Sequence, residues 1–225
     1  MEGAQIEVIR SKKTNGDCAN ITWSNALNSW VITSQNVSIV ARNEKDIKTL
    51  YPEQTRYFLA RKIALCWMRK VKQIEKMGPD HLEALKADLV DNTFVGDFIG
   101  NSDLVNLIKY PKELIMFHSV VQKNRTRENA KDTAFCHVNS FAMLKRHPLE
   151  IVPNQTQGVY RSYDELCEAL SVLFKQVVNS NLSETEEGVV LTFIRRNGQD
   201  NAQGDSVISM CKVKSIQYQA LRLLI

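Results

Sequence analysis

The sequence predicts an α+β protein in which antiparallel sheets, flanked by helices, meet at a central cleft. Segments rich in β-branched and aromatic residues occur near both ends of the chain, and segments with helical spacing of apolar residues lie between them. With 225 residues, 44% of them apolar, the chain is long enough to bury one large core, and no linker interrupts it. We therefore expect one domain over residues 1–225.

Composition and charge narrow the class of protein further. A net charge of +4 permits a polyanionic partner without requiring one. No apolar run is long enough to cross a membrane, and the first residues lack the pattern of a signal peptide, so we expect an intracellular protein, cytoplasmic or nuclear, with no membrane partner. The five cysteines include no C-x-x-C pair, which favours reduced and mostly buried thiols.

The N-terminal part predicts four strands, over residues 6–10, 19–23, 30–34 and 37–40. Asn15-Gly16 is a typical hairpin signal, so the first two strands are expected to pair directly. An antiparallel meander near the N-terminus follows from these strands.

The middle of the chain changes to helical spacing. A helix is expected over residues 56–77, ended by Gly78-Pro79, and Asp80 is the expected N-cap of a second helix that extends to about residue 86 or 89. The segments that follow are assigned, in order, strands over 93–100 and 113–122, a polar loop over 123–131, a short helix over 135–146 and an extended link over 147–153.

The last third predicts one helix and two strands. The helix covers residues 163–179, with Ser162 as its N-cap and Glu165 completing a capping box. Strands over 188–195 and 207–214 follow, separated by a loop rich in Gly, Asn and Asp.

Lys13 is the candidate nucleophile, in the sequence Lys13-Thr14-Asn15-Gly16. A lysine amine attacks only when uncharged, so nearby cations or desolvation must lower its pKa from about 10.4. Because alternate strand residues face opposite ways, Lys12 and Lys13 point to opposite faces and only one can enter a pocket. An ordinary basic hairpin tip is the alternative interpretation.

Two C-terminal segments supply partners for such a lysine. Lys212 and Lys214 lie two apart in a predicted strand, so both ammonium groups share one face and suit a triphosphate. The alternative is a solvated edge strand protected by lysines. Of Glu186 and Glu187, one must face inward, where a carboxylate positions Mg²⁺ or accepts the amine proton, and a glycine follows it where backbone can approach a ligand.

Further polar and aromatic residues complete the candidate site. Asp97 is suited to hydrogen-bonding ribose hydroxyls, and Phe117-His118 offers a stacking face for a base, although a strand aromatic more often belongs to the core. The polar segment 33–36 breaks a strand pair. The basic face of helix 56–77 is a second candidate contact with nucleic acid, against the alternative of an ordinary solvated face.

The order of these segments resembles that of the covalent nucleotidyltransferase superfamily, which comprises RNA ligases, DNA ligases and mRNA capping enzymes. Within it, the chain looks most like the ligase domain of fungal-type tRNA ligases and the T4 RNA ligase 1 group. The similarity lies in the K-x-N-G form at Lys13, the strand 30–36, the acidic segment from Asp97 to Tyr110-Pro111, Glu187-Gly188, and Lys212-Val213-Lys214.

The resemblance implies an ATP-grasp-like nucleotidyltransferase domain and an ATP-dependent RNA ligase. Lys13 would form lysyl-AMP, and an RNA 5′-phosphate would then be adenylylated and sealed to a 3′-hydroxyl. The implied catalytic residues are Lys13, Glu187, Lys212 and Lys214, with Glu187 also as ligand to Mg²⁺ or Mn²⁺. The implied ATP contacts are Asn15, Gly16, Ser34, Asn36, Asp97, Phe117 or His118, Glu187, Lys212 and Lys214.

Three alternatives stay open at this stage. The same lysine chemistry serves GTP-using capping guanylyltransferases and DNA ligases. Asp97 in place of the family's usual glutamate, and Gln35 in place of a basic residue, motivate a catalytically inactive RNA-binding module with this fold. Since about ten residues follow Lys214, we expect no C-terminal OB-fold domain, which favours RNA ligase, with end-healing enzymes for RNA repair or tRNA splicing on separate chains.

Overall fold

A computed structural model describes residues 5–100, 108, 110–123, 137–179, 187–196 and 206–223. These residues form nine strands and six helices. The strands are β1 Gln5–Lys13, β2 Asp17–Ser24, β3 Ser29–Thr33, β4 Ser38–Ala41, β5 Asn92–Ile99, β6 Leu114–Gln122, β7 Asn154–Tyr160, β8 Gly188–Arg196 and β9 Ser206–Lys214. The helices are α1 Glu44–Leu50, α2 Phe58–Glu75, α3 Pro79–Asp91, α4 His137–Leu144, α5 Tyr163–Val178 and α6 Ile216–Arg222.

Contacts divide the chain into two compact units, of which the first comprises Met1–Asn15, Ser102–Tyr110 and Val152–Ile225. Its sheet is antiparallel with the strand order β7-β1-β8-β9. One face of this sheet packs on α5, because apolar residues alternate along β1 and β8 and recur at helical spacing along α5. The core of the unit is formed by Ile6, Val8, Leu166, Leu173, Val177, Val189, Leu191 and Val213.

The second unit comprises Gly16–Asn101 and Pro111–Ile151. Its sheet is antiparallel with the order β4-β3-β2-β5-β6. The core packs this sheet against α2, whose buried face carries Ile63, Trp67 and Ile74. Three aromatic residues, Trp23, Trp30 and Trp67, meet edge to face at centroid separations of 4.8 and 5.3 Å.

The α+β class with antiparallel sheets is confirmed, and so are most elements. The meander β2-β3-β4, helices α2, α4 and α5, and strands β5, β6, β8 and β9 fall where the sequence predicts them. Ser162 caps α5 by accepting from the Glu165 N–H at 3.2 Å, and the Glu165 carboxylate accepts from the Arg161 N–H at 3.1 Å. Most of the predicted loop 123–131 lies outside the described residues.

The predicted hairpin between the first two strands is wrong. Both edges of β1 are occupied by β7 and β8, and both edges of β2 by β3 and β5, so the two strands belong to different sheets. Neither Asn15 nor Gly16 is among the described residues with positive φ, which a two-residue hairpin turn of the Asn-Gly type requires. Gly16 is instead a point of close approach, since a Cβ there would lie 2.6 Å from the carbonyl oxygen of Phe98.

Other differences concern caps and short elements. Asp80 lies inside α3 instead of capping it, because Pro79 occupies the first helical position, where its missing N–H costs nothing. Patterns in the sequence do not predict α1, β7 or α6. Of the four described cysteines, which are all free, only Cys66 is buried, so the expectation of mostly buried thiols is wrong.

The basic face of α2 forms ion pairs within the second unit. Arg69 lies 3.2 Å from Glu113, Lys70 lies 2.7 Å from Glu150, and Lys72 lies 2.5 Å from Glu44. These pairs favour the structural interpretation of the helix face over a nucleic-acid contact. None of the described helices is both long and apolar enough to cross a membrane.

Gly188 is required by close packing of backbone, so Gly188→Ala is expected to destabilise the first unit. Its φ is +155°, and a Cβ would lie 2.0 Å from the carbonyl oxygen of Val213 on β9. We expect the free energy of unfolding to fall by about 1–3 kcal/mol, measured by urea denaturation.

Gly158→Ala is the matched control in the same sheet, since a Cβ there meets only the end of the Tyr160 ring, which can rotate away. Equal losses of unfolding free energy for the two variants would contradict the importance of the β8–β9 contact.

Candidate functional site

The pairing of three adjacent strands brings the predicted lysines and the acid together in the first unit. Lys13 at the end of β1 is opposite Gly188 at the start of β8, and Gly188 is opposite Lys214 at the end of β9. Glu187 immediately precedes β8, and its backbone N–H donates to the Lys13 carbonyl at 3.2 Å. The backbone therefore positions the two side chains next to each other.

Glu187 is a buried carboxylate surrounded by donors. Its side chain is 4% exposed, and Oε1 forms an ion pair with Lys13 Nζ and lies 3.4 Å from Lys214 Nζ. Oε2 accepts a hydrogen bond from Asn15 Nδ2 at 3.2 Å. The sequence predicts that one of the two adjacent glutamates faces inward, and Glu187 does so. Glu186 lies outside the described residues.

Besides its hydrogen bond to Glu187, Asn15 is held by three hydrogen bonds to distant parts of the chain. Its backbone N–H donates to the Tyr110 hydroxyl at 3.0 Å, and Nδ2 also donates to the Tyr218 hydroxyl at 2.9 Å. Its Oδ1 accepts from the Ile108 N–H at 3.4 Å. An asparagine supplies both donors and an acceptor, so this one residue connects β1 to α6 and to residues 108–110.

The electrostatics of the site follow from burial and these contacts. Burial alone raises the pKa of Glu187, but hydrogen bonds from Lys13, Tyr218 and Asn15, together with the charge on Lys13, outweigh it and leave the pKa below the ordinary value. The pKa of Tyr218 is raised by burial and by its hydrogen bond to the Glu187 carboxylate. Tyr218 therefore stays protonated as a donor, and Glu187 stays an anion.

The two lysines of β9 share one face, as predicted. Val213 between them is buried in the core of the unit, whereas Lys212 and Lys214 line an open groove of about 460 Å³ together with residues of α6. Lys214 also lies over the Tyr218 ring, 5.0 Å from its centroid. The alternation of β9 thus directs both ammonium groups away from α5 and to the side of Lys13.

Six other predicted site residues belong to the second unit: Gly16, Ser34, Asn36, Asp97, Phe117 and His118. The Asp97 carboxylate and His118 Nε2 are 3.9 Å apart, and Asn36 is exposed. The Ser34 hydroxyl is within 3.2 Å of the N–H and the carbonyl of Val37, in the turn between β3 and β4. Its predicted nucleotide contact therefore competes with a structural role.

Phe117 does not offer the stacking face that the sequence predicts. It is 1% exposed and packs edge to face on Trp67 and Phe94, so its ring faces are covered by the core. The pleat of β6 turns Ile115 and Phe117 inward, and His118, which follows, is left partly exposed. His118 is the member of the predicted aromatic pair that is available to a base.

Sequence reasoning gave Tyr218 no role in the site. Its hydroxyl contacts Asn15, and Ser215 caps α6 by accepting from the Tyr218 N–H at 3.2 Å. The pattern Ser-x-x-Tyr directly after the lysine strand is a signal for this turn, because serine is a preferred N-cap residue.

The side chains at this site fit a metal ion that binds together with phosphates. Among the residues that the structure describes, no three His, Cys, Asp or Glu side chains lie together as a ready-made metal site. Mg²⁺ and similar hard cations are commonly held by one or two carboxylates together with substrate phosphates and water. Glu187, one carboxylate beside two ammonium groups that suit phosphate, matches that pattern.

The fold is similar to that of part of an RNA ligase. Solved structures to which the chain is similar include those of Naegleria gruberi RNA ligase. The form with pyrophosphate gives a TM-score of 0.56 at 16% identity, covering 99% of this chain and 53% of that one. A mutant with ATP and Mn gives a TM-score of 0.55 at 15% identity, covering 98% of this chain and 52% of that one. A mutant with AMP and Mn gives a TM-score of 0.54 at 14% identity, with the same coverage of both chains.

This likeness extends over nearly all of the chain but only part of the neighbour. The chain spans about half the length of the ligase chains that it matches. No protein-family description matches the sequence, and no curated protein sequence matches it. The single domain predicted for residues 1–225, and the roles assigned to individual site residues, stay predictions.

The lowered pKa of Glu187 predicts a specific pH dependence of stability. A carboxyl whose folded-state pKa lies below the ordinary 4.5 stabilises the fold above about pH 4.5, and this stabilisation is lost as the pH falls through the folded-state value. We expect the difference in unfolding free energy between the parent and Glu187→Gln to shrink as the pH falls from about 7 to about 3.

Chemical denaturation at a series of pH values measures this difference. Glu168→Gln, which removes one negative charge from the exposed surface of α5, is the control. A difference for Glu187→Gln that stays constant over the whole pH range would show that the carboxylate charge does not stabilise the fold.

Proposed function

We propose that the protein is an ATP-dependent RNA ligase that works through a lysyl-AMP intermediate. The single observation that supports this most strongly is the contact between Lys13 Nζ and the buried Glu187 carboxylate, with the Lys214 ammonium 3.4 Å from the same oxygen. A nucleophile, an acid and a cation thus lie within reach of one phosphate. The fold shared with an RNA ligase supports the same proposal.

In the first step, the Lys13 amine attacks the α-phosphorus of ATP. A nitrogen–phosphorus bond forms, the bond to the bridging oxygen breaks, and pyrophosphate leaves. The amine gives up a proton in this step, and Glu187 is the nearest acceptor that the structure describes. Lys214 and Lys212 neutralise the charge that develops on the phosphate oxygens, which is the main contribution a protein makes to phosphoryl transfer.

In the second step, an RNA 5′-phosphate oxygen attacks the phosphorus of lysyl-AMP. The amine of Lys13 leaves and recovers its proton, and AMP becomes linked to the RNA through a pyrophosphate bond. In the third step, a 3′-hydroxyl attacks the RNA 5′-phosphorus, AMP leaves, and a phosphodiester forms. Holding these groups in line accounts for much of the rate, because the reaction becomes effectively unimolecular.

The remaining roles belong to the same proposal. Asp97 contacts the ribose, His118 the face of the adenine, and Gly16, Ser34 and Asn36 contribute further contacts to the nucleotide. Glu187 and the phosphates of ATP would hold Mg²⁺ or Mn²⁺, which would supply positive charge near the leaving pyrophosphate.

We also propose the substrate of the protein and its location in the cell. The substrate is RNA with a 5′-phosphate and a 3′-hydroxyl, as RNA repair or tRNA splicing provides. Enzymes that heal such ends act on separate chains. The protein works inside the cell, in the cytoplasm or nucleus, where ATP is available, and needs no membrane.

Lys13→Ala is expected to abolish labelling of the protein by α-labelled ATP with Mg²⁺ or Mn²⁺. The loss should be about a thousandfold or more, because the variant has no amine to form the phosphoramidate. The label on the parent should be acid-labile and alkali-stable, and gel autoradiography measures it. Lys12→Ala is the matched control, since Lys12 is on the opposite face of β1, and it should keep the label.

Each other outcome selects a different function. Preferential labelling by GTP would indicate a guanylyltransferase, and sealing of nicked DNA but not RNA would indicate a DNA ligase. RNA binding that survives Lys13→Ala, with no label on the parent protein, would indicate an inactive RNA-binding module. Equal labelling of Lys13→Ala and the parent would sink the lysyl-AMP proposal.

A further inference from the structure

The first unit has a basic groove between β9 and α6, next to the proposed catalytic site. We call it the β9–α6 groove. It has a volume of about 460 Å³ and is lined by Lys212, Lys214, Tyr218, Gln219, Arg222 and Leu223. Three of these six residues are cations and none is acidic, so the groove favours an anionic ligand.

Lys214 connects this groove to Glu187. Its Nζ lies 3.4 Å from Glu187 Oε1 and 5.0 Å from the centroid of the Tyr218 ring. Gln219 stabilises the end of β9, because its Nε2 donates a hydrogen bond to the Lys214 carbonyl at 3.1 Å. A ligand in the groove is therefore continuous with the place where Lys13 would react.

The cations of the groove are spread out. Lys212 is two residues from Lys214, a distance of about 7 Å along a strand, and its side chain lines the groove. Arg222 is exposed and lies one helical turn after Tyr218, about 6 Å further along α6. The positive charge thus extends away from Glu187 along both β9 and α6.

Lys212 and Lys214 suit the phosphates of ATP, but Arg222 extends the row of cations, and the longer row suits a nucleic-acid strand better than the tail of a nucleotide alone. Neighbouring phosphates of a triphosphate share a bridging oxygen and crowd around one cation, whereas strand phosphates are separated by a whole nucleotide. Grooves that bind single strands follow the backbone with a row of cations. Arginine adds a planar fork of donors that matches two phosphate oxygens.

We propose that the β9–α6 groove binds the backbone of the RNA strand being joined, with Arg222 contacting a phosphate away from the reacting end. The inference rests on the proposed function for the identity of that strand. It adds Arg222 and α6 to the proposed substrate-binding surface. It also gives Lys212 a second contact, with a phosphate of the RNA strand.

The test compares Arg222→Gln with Arg195→Gln. Arg195 is exposed on β8 and pairs with Ile6, so it is on the α5 face of the same sheet, and both variants lose one positive charge. Binding of a short 5′-phosphorylated single-stranded RNA is followed by fluorescence anisotropy over a series of salt concentrations.

Arg222→Gln is expected to weaken RNA binding about three- to tenfold at low salt and to reduce the salt slope by about 0.7, the value for one lost contact to a single strand. Arg195→Gln should match the parent in both quantities. Arg222→Lys should recover part of the affinity, because it restores the charge without the planar fork.

Two outcomes would overturn the inference. One is equal RNA affinity and salt slope for the two glutamine variants. The other is an increased KM for ATP in the adenylylation assay for Arg222→Gln, with RNA binding like that of Arg195→Gln, since the groove would then hold the tail of the nucleotide. RNA binding is measured without adenylylation, so a parent protein that binds RNA but takes no label contradicts the proposed function and leaves the result on the groove intact.

Discussion

The site depends on one buried carboxylate and the donors that keep it ionised. Removing a carboxylate from water costs several kcal/mol unless opposite charges and hydrogen bonds replace the solvent. Glu187 meets that condition through Lys13 and Asn15, at and just after the end of β1, and Lys214, at the end of β9. The same requirement keeps the Lys13 and Lys214 ammonium groups beside each other.

Backbone geometry makes this arrangement specific. The N–H of Glu187 donates to the Lys13 carbonyl, and the N–H of Ser215 donates to the Glu187 carbonyl, both at 3.2 Å. The residue that carries the charge therefore also joins the end of β1 to the start of α6. A shift of one residue in either strand pairing would turn the lysines to the other face of the sheet, which packs on α5.

Local patterns in the sequence were enough to predict much of the fold and part of the site. The helical period gave α2 and α5, and the strand period put Lys212 and Lys214 on one face. The pairing partners of the strands were harder to predict. The Asn-Gly signal at residues 15–16 is local, whereas the contacts of β1 are with strands more than a hundred residues away. Asn15 is used for its hydrogen bonds, not for a turn.

The residues missed or misassigned share a physical reason. Tyr110 and Tyr218 enter the site through hydroxyl groups that no periodic pattern marks, since each is buried as an aromatic residue would be in any core. Phe117 and His118 are neighbours in sequence with opposite environments, and only the direction of the pleat separates them. Short elements such as α1 and α6 carry too few residues for a clear period.

The strand order of the first sheet has a consequence for biosynthesis. β1 leaves the ribosome before both of its neighbours, β7 and β8, which are translated more than a hundred residues later. Lys13 therefore has neither Glu187 nor Lys214 beside it until those residues have emerged. Closing such long loops is slow, so the cluster of Lys13, Glu187 and Lys214 is expected to be among the last parts of the described chain to assemble.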